Sequence, residues 1–142
     1  MTQTSKQATE NTFQFELVSP AKKLAEMQAY QVIVPGQDGD LGVRKGHSSF
    51  VVSMRPGVVE IRKDENAEPE HIFVAGGFAD ISAENCTVLA EEATPVSELI
   101  QADIESTLSG LEQKISDASS DTQKQNLQNK ILIAQEKLKA CA

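Results

Sequence analysis

Residues 35–47 read PGQDGDLGVRKGH and place four glycines, Gly36, Gly39, Gly42 and Gly46, within eleven positions, with Asp38 and Asp40 between them. That density is too high for a strand and too regular for a slack linker, so this stretch is the first place to look for chemistry. A phosphate loop requires a lysine directly after its last glycine and a hydroxyl after that. Here Lys45 precedes Gly46 and His47 follows it, so the charge is missing where the phosphate would need it. A calcium loop of EF-hand type requires acids at its first, third and fifth positions, glycine at the sixth and glutamate at the twelfth. Counted from Asp38, only Asp40 fits; Gly42, Val43 and Ser49 hold the other positions. Nucleophilic catalysis has little more to work with. His47 and His71 are the only histidines, and Ser48 and Ser49 are sequence neighbours of His47, not members of a triad. His47 reads as a turn histidine bonded to backbone. What remains is shape: glycine permits left-handed or closely packed backbone, giving either a low-relief surface for another protein or simply a corner of a β-sheet.

Composition limits the classes further. The 142 residues suit one domain, or a small domain with an appendage. A 39% hydrophobic content supports a core, and 4% aromatics with no Trp make that core aliphatic. With 21 acidic against 13 basic residues, net charge is −8, which disfavours nucleic acid and anionic lipid. Cys86 and Cys141 lie far apart, with no Cys/His cluster for a metal and no disulfide framework, and read as reduced thiols. Residues 1–12 are polar and read as a flexible tail, not a signal peptide. No apolar run approaches the ~20 residues of a membrane-spanning helix, so no direct bilayer insertion is expected.

The elements that hold the glycine stretch follow from periodicity. TFQFELVS alternates, with Phe13, Phe15 and Leu17 on one side. YQVIVPG, SFVVSM, GVVEIRK, EHIFVAG, FADIS and CTVLAEE read as further strands, separated by RPG, DENAEPE, GG and AEN. Around residues 91–98 the period changes from two to about 3.6. Val96, Leu99 or Ile100, Ile104, Leu108, Leu111 and Ile115 form one helical stripe, and Leu127, Ile131, Ala134 and Leu138 a second. SDASSD separates them, with Asp121 the expected N-cap. The reading is a mainly β plus α chain: an N-terminal β-sandwich over residues 13–93, then a C-terminal antiparallel α-helical hairpin over 94–142. Such a thin pair of helices is expected to lean on the sandwich or on a partner.

Several segments together carry a resemblance. PGQDGDLGVRKGH, MRPGVVEIRK, FVAGGFADI and TVLAEEA occur in the order and spacing of the epsilon subunit of F-type ATP synthases, counterpart of the mitochondrial delta subunit, and FELVSPAKKL resembles its opening. The resemblance covers residues 13–93 strongly. It implies a non-catalytic rotor subunit of a proton-translocating synthase, with no cofactor, coupling rotation of the c ring and gamma subunit to ATP synthesis in the catalytic head. It implies a peripheral position on the cytoplasmic face of the bacterial inner membrane. By the same resemblance Gly39, Asp40 and Leu41 face the c-subunit ring, and Ser19 and His47 match positions near the gamma subunit. The C-terminal hairpin would meet the alpha and beta subunits if it acted as an inhibitor of hydrolysis, the alternative role in this family.

Two departures bear on that alternative. The family's ATP-binding signature is Ile or Leu, Asp, two residues, Arg, Ala; the matching LIQADI puts Ile100 at the Asp position and Asp103 at the Arg position. No arginine follows Arg62, so no nucleotide-binding residues are expected. Residues 97–142 hold five lysines and seven acids, a net of −2, whereas inhibitory hairpins are typically basic.

Overall fold

The computed structural model describes residues 11–141. The expected tail therefore lies outside the described residues except for Asn11 and Thr12.

Ten strands come first: β1 Phe13–Val18, β2 Lys23–Ala29, β3 Gln31–Gly36, β4 Gly39–Val43, β5 Phe50–Ser53, β6 Gly57–Arg62, β7 Glu70–Ala75, β8 Phe78–Ile81, β9 Asn85–Leu89 and β10 Glu92–Pro95. They form two five-stranded sheets, ordered β2-β1-β9-β8-β5 and β10-β7-β6-β3-β4. The first sheet contains a parallel pair, β1 with β9, so the chain must cross over between them. Strict alternation selects the buried face: Phe13, Phe15 and Leu17 point inward and are essentially inaccessible, as are Val32 and Val34, Val59 and Ile61, and Val88. The buried residues are mainly aliphatic, with Phe13, Phe15 and Phe73 the fully buried aromatics among the described residues.

The glycine stretch corrects one expectation. Gly39 and Gly42 lie inside a strand, because β3 and β4 form an antiparallel hairpin in register from Val32 opposite Val43 to Gly36 opposite Gly39. Only Gln37 and Asp38 make the turn. Neither has positive φ; Gly39 instead takes φ +134 and brings the chain back into register. A strand so poor in side chains is tolerated because β4 is the edge of its sheet and pairs on one side only.

The second compact unit begins at Pro95. A short 3-10 turn at Val96–Glu98 precedes α1, Gln101–Ser116, and α2 follows at Asp121–Cys141. Val96, Leu99 and Ile100 thus precede the first helix proper. The N-cap of α2 also differs from expectation: the Ser120 hydroxyl accepts the Gln123 N–H at 3.2 Å, and Gln123 Oε1 accepts the Ser119 N–H, also at 3.2 Å. Asp121 is the first helical residue, where its charge still favours the helix N-terminus. Ile104 and Ala134 are the buried residues of this unit. Gly110 lies within α1 with open space around the position of a Cβ. Gly110→Ala is therefore expected to stabilise this unit by about 1 kcal/mol, read as a higher melting temperature or helical signal; a lowered one would contradict it.

Candidate functional site

The exposed end of the β3–β4 hairpin is built from two directions. Sheet registry supplies one. Asp40 stands opposite Pro35, and Gly36 makes an isolated bridge to Met54, just past β5 in the other sheet. The link between β5 and β6 supplies the other. Arg55, in that link, donates from Nη1 to the Gly36 carbonyl at 2.5 Å and from Nη2 to Asp40 Oδ1 at 2.6 Å. Its backbone N–H donates to the Pro35 carbonyl at 2.9 Å, and the Gln37 N–H to the Ser53 carbonyl at 3.0 Å. The turn is thus tied to both sheets.

The electrostatics follow from exposure. The Asp40 side chain is 62% exposed and that of Arg55 43%, so water screens the pair, and its worth in stability is about 1 kcal/mol or less. Its effect on orientation is larger, since a planar guanidinium reaching two acceptors fixes both directions. Leu41 is half-buried against the core, while Gly39 and Asp40 are exposed.

His47 lies elsewhere. β4 runs about 13 Å from Gly39 to Val43, and His47 follows four residues later, at the opposite end of the sandwich. There the Gly46 N–H donates to the Ala83 carbonyl at 2.7 Å. The His47 ring tilts against Phe50, with centroids 5.1 Å apart, and its Nδ1 lies 3.0 Å from the Ser48 carbonyl oxygen. This places the proton on Nδ1 and gives the backbone-bonded turn histidine that its sequence context suggested. Beside it, the Arg44 guanidinium lies 4.9 Å from the centre of the Tyr30 ring and donates from Nε to Gln31 Oε1 at 2.9 Å. Gln31, Ile33, Asp40, Gly42, Arg44, Lys45, Gly46 and His47 line a shallow groove along the outer surface of β4. Ser19 is on the hairpin-tip end. It follows Val18, which pairs with Leu89, which pairs with Phe78, which pairs with Ser53. Its N–H and hydroxyl both donate to the Lys22 carbonyl, closing the β1–β2 turn. The structure therefore brings Ser19 to the same end as Gly39–Leu41 and leaves His47 at the other.

Arg55 is the site residue that sequence reasoning missed. It sits in the MRPG segment, fifteen residues from Asp40, and only the bridge between sheets brings the two together. Other chemical groups are quiet. Among the described residues no three His, Cys, Asp or Glu side chains cluster as metal ligands, and no buried side-chain polar atom lacks a partner. Burial pushes the Cys86 thiol up to about 12, with the Asp80 charge adding to it, so this sulfur stays protonated at neutral pH. Ile100 is exposed just before α1, and Asp103 lies in the first turn of α1, where an acid suits the helix dipole and repels phosphate. No helix among the described residues is long and apolar enough to cross a membrane.

Comparison with known proteins agrees with this architecture. Residues 12–96 match the model of the ATP synthase delta/epsilon chain β-sandwich domain. An ATP synthase epsilon chain from Rhodospirillum centenum is 41% identical over 129 residues, covering 88% of each chain. That of Paramagnetospirillum magneticum is 42% identical over 122 residues, covering 86% of this chain and 91% of the relative. A chain of the Euglena gracilis mitochondrial ATP synthase, from a cryo-EM structure of its OSCP/F1/c-ring part, superposes with a TM-score of 0.79 at 18% identity, over 92% of this chain and 82% of that one. A central stalk/c-ring chain of the Tetrahymena thermophila mitochondrial enzyme gives 0.63 at 14% identity, over 92% and 96%. At these identities the two structures speak for the fold alone.

Proposed function

The chain belongs to the ATP synthase delta/epsilon family, and we propose that it is a non-catalytic central-stalk subunit, turning with the gamma subunit and the c ring of a proton-translocating synthase. The observation that carries this reading is the relation to epsilon chains across most of the length of both partners. The geometry adds a physical reason. A transmitter of torque must not yield, and a close-packed aliphatic sandwich whose protruding turn is tied to both sheets resists deformation. Gly39, Asp40 and Leu41 face the polar loops of the c ring, and Ser19 and His47 lie toward gamma. With these two at opposite ends of the sandwich, a gamma surface meeting both runs along its length. The complex lies at the cytoplasmic face of a bacterial inner membrane, which this subunit does not itself enter. Tagged chain expressed with the rest of its synthase is expected to retain gamma in equal amount through purification; a tagged chain free of gamma would contradict the proposal.

Inhibition through the C-terminal helices is not favoured. Their net charge of −2 gives no attraction to acidic segments of the beta subunits. Deleting residues 97–142 is expected to change ATP hydrolysis by less than about twofold, an effect of under 1 kcal/mol on the barrier. A large rise would establish a brake. With Ile100 and Asp103 where the family's signature has Asp and Arg, titration calorimetry is expected to show no ATP binding at millimolar nucleotide. A saturable heat at that concentration would refute this.

A further inference from the structure

We propose that Arg55 is the positioning residue of the Gly36–Leu41 corner, and that Asp40 works inward on Arg55 rather than outward as an ion-pair partner for the c ring. This rests on the reading that the corner docks on the ring. The corner contains Gly36 and Gly39 within four residues, so its free chain has more freedom to lose on ordering than almost any other sequence. Something must hold it in one shape. The turn adds one backbone tether of its own, from the Gln37 N–H to the Ser53 carbonyl, while Gln37 and Asp38 are both exposed. Arg55 touches both arms: Pro35 and Gly36 on β3, and Asp40 on β4, through three hydrogen bonds of 2.5 to 2.9 Å. Because Arg55 belongs to the link between β5 and β6, these bonds anchor the corner to the opposite sheet as well.

The fork geometry explains the residue type. Arginine presents parallel donors in a fixed plane and can hold a carbonyl and a carboxylate together; lysine is a point charge on a flexible stem. The carboxylate of Asp40 is then already neutralised within the chain. What the corner presents to a partner is backbone and shape, with one carboxylate oxygen, Oδ2, left over.

Single and double replacements separate inward from outward roles. Asp40→Asn, Arg55→Ala, Arg55→Lys and the double Asp40→Asn/Arg55→Ala variant are compared in the assembled synthase by ATP-driven proton pumping in membrane vesicles, and in the isolated chain by amide exchange. Arg55→Ala is expected to speed exchange at Gly39, Asp40 and Leu41 about three- to tenfold while core strand amides such as Val59 and Val88 are unchanged. Pumping is expected to fall in Arg55→Ala and in Asp40→Asn, and less in Arg55→Lys. The double Asp40→Asn/Arg55→Ala variant is expected to be no worse than the poorer single one. If Arg55→Ala pumps normally while Asp40→Asn does not, the carboxylate acts outward and the inference is overturned with the docking reading intact. If every variant pumps normally although the corner amides exchange faster, the docking reading itself fails, and the inference with it.

Discussion

Replacing Gly77 with alanine is expected to cost the chain about 3–5 kcal/mol of stability. Gly77 takes φ +98 in the turn from β7 to β8, and a Cβ there would stand 1.9 Å from the Leu89 carbonyl oxygen and 2.9 Å from the Ala90 Cα. Both obstacles are backbone atoms, so no side-chain rotation relieves the clash. The contact cannot open locally either, because Leu89 is registered against Phe78 and Val18, the strands on both of its sides. Relief would require parting β8 from β9 and exposing Ala79, Ile81, Cys86 and Val88, which are fully buried. A marginally stable domain has roughly 5–15 kcal/mol in total, so the variant is expected to melt far below the parent chain. A Gly77→Ala chain that melts within a few degrees of the parent would mean that this turn is not as tight as described.

Changing Asp40 to lysine is expected to have the largest effect on function. It removes the acceptor for Arg55 Nη2 and sets a second cation beside the guanidinium, where an anion now stands at 2.6 Å. Like charges at that separation repel even when partly screened by water. The corner then moves relative to both sheets, while the fold, which draws at most about 1 kcal/mol from this exposed pair, remains intact. ATP-driven pumping is therefore expected to fall about tenfold, equivalent to a loss of some 1.4 kcal/mol, with a melting temperature close to that of the parent chain. Unchanged pumping would remove the corner from the coupling path.

Legibility in the sequence tracked position in the sheets. Strands with dense apolar alternation announced themselves: β1 by Phe13, Phe15 and Leu17, β3 by Val32 and Val34, and β6 by Val59 and Ile61, all interior strands buried on one face and paired on both sides. The strands that escaped were β2, β4 and β10, and each is an edge. An edge strand is paired on one side only and needs less burial, so KLAEMQA, GDLGV and EATP can be charged, glycine-rich or nearly featureless. The helical stripes were legible because burial follows them: Ile104, Leu108, Leu111 and Ile115 are the more protected positions of α1. The cap of α2 was less so, since Ser119, Ser120 and Asp121 all cap well and only geometry selects Ser120. At the site, the glycines pointed to a special surface, but the Arg55 tether depends on two sheets meeting at Gly36 and Met54. No local pattern encodes that meeting.

The most direct test of a rotor role is contact made in the assembled enzyme. An Asp38→Cys chain, with Cys141 replaced by serine and Cys86 left buried, can carry a short photoactivated maleimide at the exposed turn. Illumination of membranes is expected to join this chain to a c subunit in high yield and to stop rotation-coupled pumping. A label that stays freely reactive with water-soluble quenchers, joins nothing on illumination and leaves pumping unaffected would contradict the docking of this corner on the ring.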